Sequence, residues 1–76
     1  MKIKLIFHGS LKRYNKNLPE IEHEAREGMK VGQLIGRIGI PADEIAFVAI
    51  NGSRVTNDAI IHEGDEVKIF QLVGGG

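Results

Sequence analysis

The segment VGQLIGRIGIP, residues 31–41, carries apolar side chains at the spacing of one face of an α-helix. The positions i, i+3, i+4 and i+7 are occupied by Val31, Leu34, Ile35 and Ile38. Gly39 stands where a left-handed C-terminal cap belongs, and Pro41 prevents the helix from continuing. The pattern therefore predicts a short helix over residues 31–38.

This helix is weak by its own sequence. Gly32 and Gly36 each cost about 1 kcal/mol relative to alanine, and Lys30 offers no side-chain acceptor as an N-terminal cap. Packing against the rest of the protein must therefore stabilise it. The small size of both glycines is expected to let the helix approach a sheet closely.

The segments on both sides of the helix have the two-residue period of β-strands. In residues 2–8 one face is apolar, and it carries Ile3, Leu5 and Phe7. In residues 20–26 one face is fully charged, which is typical of a solvent-facing strand near a sheet edge. The residues between these two strands, 9–19, are polar and predict a loop. Further strands are predicted over residues 45–50, 53–55 and 66–73.

Asn51-Gly52 lies between two of these strands and is the favoured pair for a type I′ turn, so a hairpin is expected there. The order of elements becomes β-β-α-β-β-β. Segregated rather than alternating elements indicate an α+β fold, with one helix packed on one face of a mixed sheet.

The chain has 76 residues and 8.4 kDa, which allows one small domain. So short a chain has little room for both a hydrophobic core and a deep active-site cleft, which argues against a self-contained enzyme. The apolar runs are too short for a membrane span or a signal peptide. Cysteine is absent, which excludes disulfides, thiolate catalysis and iron–sulfur ligation. We therefore expect a cytoplasmic protein, with no membrane partner.

The net charge is zero, which argues against a nucleic-acid partner. The charges are unevenly distributed along the chain. Residues 1–38 hold eight basic and four acidic side chains, or +4, and residues 39–76 hold two basic and six acidic ones, or −4. The acidic half suits a basic partner surface. Solvated faces without a partner explain the same distribution.

Side chains that could perform chemistry are scattered. His8, His23 and His62 have neither the spacing of a helical metal pair nor cysteine support, so no metal site is predicted. Ser10 and Ser53 have no histidine placed by local sequence to activate them, and the glycines form no phosphate-binding loop.

The C-terminus is the exception, because the last predicted strand is followed only by Gly74-Gly75-Gly76. A frayed terminal segment explains this pattern. A second explanation is that the terminal carboxylate is the reactive group. Glycines lack side chains, so such a tail could thread into a narrow partner active site.

Several segments together resemble bacterial sulfur carriers of the MoaD/ThiS group. The clearest is residues 63–76, where a Gly-Asp turn, a hydrophobic strand with Phe70 and terminal glycines follow one another. Residues 48–52 with Val55 resemble the central hairpin of that group. Residues 3–7 and 11–14 resemble the start of the molybdopterin-synthase small subunit.

The resemblance implies a ubiquitin-like β-grasp domain over residues 1–73 and a flexible glycine tail over 74–76. It also implies that an E1-like adenylyltransferase activates Gly76 with ATP, and that sulfur transfer then makes a thiocarboxylate. Gly76 would carry the sulfur, and Gly75 with Gly74 would form the thin arm. The chain would be a carrier, binding no cofactor itself, while its activating partner consumes ATP.

The thiocarboxylate would donate its sulfur to a synthase. This partner is the large subunit of molybdopterin synthase or the thiazole synthase of thiamine biosynthesis. The molybdopterin branch often has Phe-Pro-Pro before the tail, whereas this chain has Phe70-Gln71-Leu72, which is more similar to the thiazole-forming carrier. The start of the chain favours the other branch, so the pathway stays open.

Two other functions fit the same sequence. In the first, the chain is a ubiquitin-like modifier whose Gly76 joins a lysine amine of a target protein. In the second, it is a regulatory β-grasp module that uses no tail chemistry.

A docking surface for the partners follows from strand alternation. If Ile3, Leu5 and Phe7 face the helix, Ile6 points to the opposite side of the sheet. Because the first and last strands of a β-grasp are parallel neighbours, Ile6, Phe70 and Leu72 are expected to form an apolar patch beside the tail. The alternative is a reversed register that places Phe70 in the core.

Overall fold

The computed structural model describes residues 1–73. Within that range the chain forms a mixed sheet of five strands, one α-helix and two short 3₁₀ helices. The strands are β1 (Lys2–Phe7), β2 (Glu20–Glu24), β3 (Ile45–Ile50), β4 (Ser53–Val55) and β5 (Glu66–Gln71). The helix α1 spans Val31–Ile38, and the 3₁₀ helices span Gly9–Asn15 and Ala42–Glu44.

The strand order across the sheet is β2-β1-β5-β3-β4. The central strands β1 and β5 run parallel, and their neighbours pair with them in antiparallel fashion. The helix α1 packs on one face, where its apolar side chains join those of β1 and β5 in a single core. The predicted α+β fold, a β-grasp with one helix on a mixed sheet, is confirmed.

The core lies between α1 and the sheet and is almost entirely aliphatic. Its most deeply buried side chains are Ile3, Leu5, Leu11, Met29, Val31, Leu34, Ile61, Val67 and Ile69. Every predicted inward position of β1 is buried. Burying apolar side chains contributes roughly 1.5–3 kcal/mol each, so this cluster is the main source of stability.

The bounds of α1 agree with the prediction, and both ends have identifiable causes. At the start, the Gln33 side-chain oxygen accepts a hydrogen bond from the Lys30 N–H at 2.9 Å, and the Val31 N–H donates to the Ala59 carbonyl at 3.0 Å. At the end, Gly39 has φ +89° and its N–H donates to the Ile35 carbonyl at 3.0 Å. This is the left-handed cap expected of that glycine.

The two glycines within α1 have different surroundings. The Gly32 N–H donates to the Asn57 carbonyl at 3.0 Å, and a Cβ at Gly32 would lie 3.2 Å from that of Asn57. Close approach therefore occurs at Gly32, against the segment that follows β4 rather than against the sheet. Gly36 faces open space, so the expectation of close packing is wrong for that residue.

The hairpin between β3 and β4 turns at the predicted pair. Asn51 has φ +50° and Gly52 has φ +86°, as a type I′ turn requires. The Asn51 side chain also donates to the Asp65 carboxylate and accepts from the Glu66 N–H, each at 2.9 Å. The turn is thereby attached to the start of β5.

Other boundaries differ from the prediction. Residues 9–15 form a 3₁₀ helix rather than a loop, because Leu11 is fully buried and Asn15 donates to the Leu18 carbonyl at 3.1 Å. β1 ends one residue earlier than predicted and β2 two residues earlier. β5 ends at Gln71 rather than residue 73, because its neighbour β3 begins at Ile45, the residue that pairs with Gln71.

No helix within residues 1–73 is both long and apolar enough to cross a membrane.

The two exposed glycines near the end of α1 give a matched pair of variants. Gly36→Ala should stabilise the protein by up to about 1 kcal/mol, because a helix-interior glycine gains propensity and meets no neighbour. Gly39→Ala should destabilise it by about 1–2 kcal/mol, because φ +89° is unfavourable for an L side chain. Urea unfolding midpoints measure both effects, and shifts of the same sign would contradict this account of the helix.

Candidate functional site

The candidate site is the end of the sheet where β5 finishes. Leu72 and Val73 follow the strand and are 54% and 70% exposed. The residues predicted to react, Gly74, Gly75 and Gly76, lie outside the described residues. What the structure supplies is therefore the root of the tail and the surface around it.

Strand alternation in β5 separates the core from the opposite face of the sheet. Val67 and Ile69 are fully buried beneath α1, while Phe70 between them and the tail is half-buried on the helix-free face. The Phe70 ring stacks on Phe47 of β3, with centroids 4.4 Å apart and planes inclined by 21°. The reversed register that would bury Phe70 in the core is not the one adopted.

Sequence reasoning missed Phe47. Strand alternation could have identified it. Val48 of β3 faces the core, so the adjacent Phe47 faces the opposite side of the sheet.

The other two residues of the predicted docking patch lie near this aromatic pair. Ile6 is half-buried and pairs in register with Lys68, two residues before Phe70, so it shares the helix-free face. Leu72 lies just beyond β5 and is more exposed. The structure therefore brings Ile6 and Phe70 onto one face and places Leu72 at its edge. A role in docking stays a prediction.

Positive groups surround the aromatic pair. The Arg54 guanidinium lies 4.8 Å from the Phe47 ring centroid, and the Lys68 ammonium lies 5.2 Å from that of Phe70. The His8 ring is also 5.2 Å from Phe70. Among the ion pairs of the described residues, none involves Lys68 or Arg54.

On the part of the helix-free face formed by β1 and β2, the charged side chains form pairs across the two strands. Lys2 lies 3.8 Å from Glu22, and Lys4 lies 3.4 Å from Glu20. Both pairs lie within residues 1–38, so they neutralise charge inside the basic half of the sequence. The charges left beside the aromatic pair are positive.

Both 3₁₀ helices contact the root of the tail. From the second, the Glu44 carbonyl accepts the Leu72 N–H at 2.9 Å. From the first, the Ser10 N–H donates to the side-chain oxygen of Gln71. The exit of the chain from the sheet is therefore held on two sides.

The Glu44 carboxylate is itself fixed by the first 3₁₀ helix. It forms an ion pair with Arg13, and the Tyr14 hydroxyl lies 3.0 and 3.1 Å from its two oxygens. Partial burial raises the pKa of the Tyr14 hydroxyl, and its hydrogen bond to Glu44 raises it further. Tyr14 therefore keeps its proton at neutral pH and acts as a donor.

The three histidines lie at separate places in the fold. His23 lies on β2, His62 lies 3.9 Å from Asp65 in the turn before β5, and His8 lies beside Phe70. In the part of the chain that the structure describes, no group of three or more histidine, aspartate or glutamate side chains is arranged to hold a metal ion. What the described residues offer is a surface and a tail root rather than a catalytic cluster.

Several solved structures have the same fold. A Pyrococcus furiosus protein provisionally designated molybdopterin converting factor, subunit 1, is 26% identical, with 96% of this chain and 99% of that chain covered and a TM-score of 0.76. SAMP1 of Haloferax volcanii, a small archaeal modifier protein, is 20% identical over 100% of both chains, with a TM-score of 0.74. A chain in the complex of subunits 1 and 2 of the Helicobacter pylori molybdopterin-converting factor is 16% identical over 100% of both, with a TM-score of 0.65.

A family model matches nearly the whole chain rather than one short motif. The model of the ThiS family aligns with residues 5–76, which include the second half of β1, all of β5, the aromatic pair and the terminal glycines. Members of this family are small ubiquitin-like carrier proteins rather than catalysts. The chain belongs to the ThiS family.

Proposed function

We propose that this chain is a sulfur carrier whose Gly76 carboxylate is activated and converted to a thiocarboxylate. An E1-like adenylyltransferase joins the carboxylate to the α-phosphate of ATP, and pyrophosphate leaves. A sulfur nucleophile then attacks the acyl carbon and displaces AMP. The observation that carries this proposal is a family match that extends through Gly76 and includes the whole tail.

The glycine tail suits this chemistry on steric grounds. Glycine has no Cβ, so Gly74, Gly75 and Gly76 can pass through a channel that would exclude any other residue. The acyl carbon of Gly76 is also unhindered at its α-position. Activation consumes ATP in the partner, and the carrier needs no cofactor of its own. Because ATP is required, we place the reaction in the cytoplasm.

The helix-free face supplies the docking surface. Its apolar centre is the stacked pair Phe47 and Phe70 with Ile6, and its rim carries Lys68 and Arg54. This combination fits a partner with an apolar recess rimmed by carboxylates, since desolvated aromatic anchors and complementary charge favour association. Leu72 extends the surface toward the tail.

The carrier then delivers sulfur to a synthase. The related Helicobacter pylori structure is a complex of subunits 1 and 2 of the molybdopterin-converting factor, which supports a synthase subunit as partner. The residues Phe70-Gln71-Leu72 are more similar to the thiazole-forming carrier, whereas the start of the chain is more similar to the molybdopterin branch, so both synthases are candidate acceptors. Titrating the thiocarboxylate form with each synthase distinguishes these two acceptors.

A second candidate function is protein modification. It is favoured by the likeness to the small archaeal modifier protein, which has the same fold over its full length. In this case the activated Gly76 would form an isopeptide bond with a target lysine, and ladders of linked products would appear in lysates. A regulatory module without tail chemistry would give neither product.

Intact mass tests the reaction at the tail. Incubation with ATP, the E1-like partner and inorganic sulfide should add about 16 Da, the difference between oxygen and sulfur, because one carboxylate oxygen is replaced. A form lacking Gly75 and Gly76 is the matched control. It should fold normally, since the core is built from residues well before the tail, and it should gain no mass. A mass gain in the truncated form would refute the assignment of Gly76.

Phe70→Ala tests the docking surface. Because Phe70 is half-buried on the helix-free face, its loss should weaken binding to the E1-like partner by about 2 kcal/mol, or roughly 30-fold. The loss of its stacking on Phe47 should cost only about 0.5–1.5 kcal/mol of stability.

The matched control is Phe7→Ala. Phe7 belongs to the core, so its replacement should destabilise the fold by about 3–5 kcal/mol. Thermal unfolding and titration calorimetry separate the two effects. If Phe70→Ala unfolds as readily as Phe7→Ala, or binds as tightly as the parent chain, the docking role is wrong.

A further inference from the structure

Four side chains and four backbone groups surround the point where the chain leaves the sheet. We call this cluster the tail-root bracket and define it by the side chains of Arg13, Tyr14, Glu44 and Gln71, the backbone N–H and carbonyl of Ser10, the Glu44 carbonyl and the Leu72 N–H. It joins residues that are far apart in sequence, since Arg13 and Glu44 are 31 positions apart and Ser10 and Gln71 are 61 apart. None of them is among the buried residues of the core, and only Tyr14 packs against it.

One side of the bracket fixes Gln71. Its side-chain oxygen accepts the Ser10 N–H, and its amide occupies the space that a Cβ at Gly9 would need. Gly9 also has φ +60°, a conformation that L side chains rarely adopt. Glycine at this position therefore lets the Gln71 side chain lie flat against the first 3₁₀ helix.

The other side fixes Leu72. Its N–H donates to the Glu44 carbonyl at 2.9 Å, and the Glu44 side chain is held by Arg13 and Tyr14. Arg13 also donates to the Ser10 carbonyl at 2.9 Å, so the same side chain connects both sides. Gln71, the last residue of β5, and Leu72, which follows it, are thus held by one closed network.

The bracket adds little to the stability of the fold. The Arg13 and Glu44 side chains are 49% and 31% exposed, and exposed ion pairs contribute little to stability because water screens them. What the network does restrict is the direction in which residue 72 leaves the sheet. Gly76 is four residues beyond Leu72, and four extended residues span at most about 14 Å. A change in the direction of Leu72 would therefore shift the region that the Gly76 carboxylate can reach.

We propose that the tail-root bracket is a positioning device that aims the Gly76 carboxylate at its activating partner while the helix-free face docks. This inference rests on the proposed reaction at Gly76. Arg13, Tyr14, Glu44 and Gln71 are positioning residues, because they act through the direction of the tail and do not touch the reacting atoms. The residues of the helix-free face then determine docking affinity, whereas the residues of the bracket determine the direction of the tail.

The test compares Gln71→Leu with Gln71→Glu. Leucine removes the acceptor for the Ser10 N–H, whereas glutamate retains it, so the second variant should restore what the first loses. Tyr14→Phe is the corresponding change on the other side, because it removes the hydroxyl that holds Glu44 and keeps the ring. All three leave Phe70 and Ile6 unchanged.

Two readouts are needed. The first is hydrogen exchange of the Leu72 amide by NMR, which should be faster in Gln71→Leu and Tyr14→Phe and near the parent rate in Gln71→Glu. The second is the rate of pyrophosphate release with the E1-like partner. In the first two variants kcat should fall on the order of tenfold or more, because misplaced reactants lose rate steeply, while KM for the carrier stays unchanged. The melting temperature should change by only a few degrees.

The outcomes separate this inference from the proposed function. If the parent chain releases pyrophosphate and Gln71→Leu does so with the same kcat, the bracket does not position the tail. A kcat loss that follows a general loss of core amide protection would make the role merely structural and would also overturn the inference. If the parent chain itself releases no pyrophosphate, the proposed reaction at Gly76 fails, and the positioning role fails with it.

Discussion

The parallel pairing of β1 with β5 is the contact on which the rest of the structure depends. Leu5 pairs with Val67 and Phe7 with Ile69, and all four side chains are buried beneath α1. Because these strands come from opposite ends of the chain, their pairing closes the domain around one core. Parallel neighbours also end at the same edge of the sheet, so the last residues of β5 emerge beside the first 3₁₀ helix.

The register of this pair also decides which residues form a surface. Side chains alternate with a period of two, so placing Ile69 in the core places Phe70 on the opposite face. A slip of one residue would exchange them, which would bury an aromatic ring where the core has room for an aliphatic side chain. The aliphatic core and the aromatic face are therefore two results of one register.

Local pattern was enough to predict α1, the hairpin at Asn51 and the edge position of β2, because each depends on residues adjacent in sequence. The 3₁₀ helix at residues 9–15 lacks a helical apolar stripe and depends on one buried leucine, so composition suggested a loop. The contact between Arg13 and Glu44 depends on tertiary folding, and no local spacing indicates it. The position of Phe47 on the helix-free face could have been predicted from the same side-chain alternation that was used for β1 and β5. The core was thus more predictable than the surroundings of the tail.

A domain of this size has little room for an enclosed active site, because a small chain already uses most of its buried volume for the core. In the proposed reaction the reactive group lies at the end of a thin segment, and a partner provides the enclosed site. The domain must then contribute two things that the partner cannot provide, a surface that binds and a fixed origin for the segment. In our proposal the helix-free face provides the first through side chains that the core does not need, and the second arises where the Glu44 carbonyl accepts the Leu72 N–H just after β5. Because neither lies in the core, substitutions there can alter partner choice or rate while the β1–β5 pair keeps the fold intact.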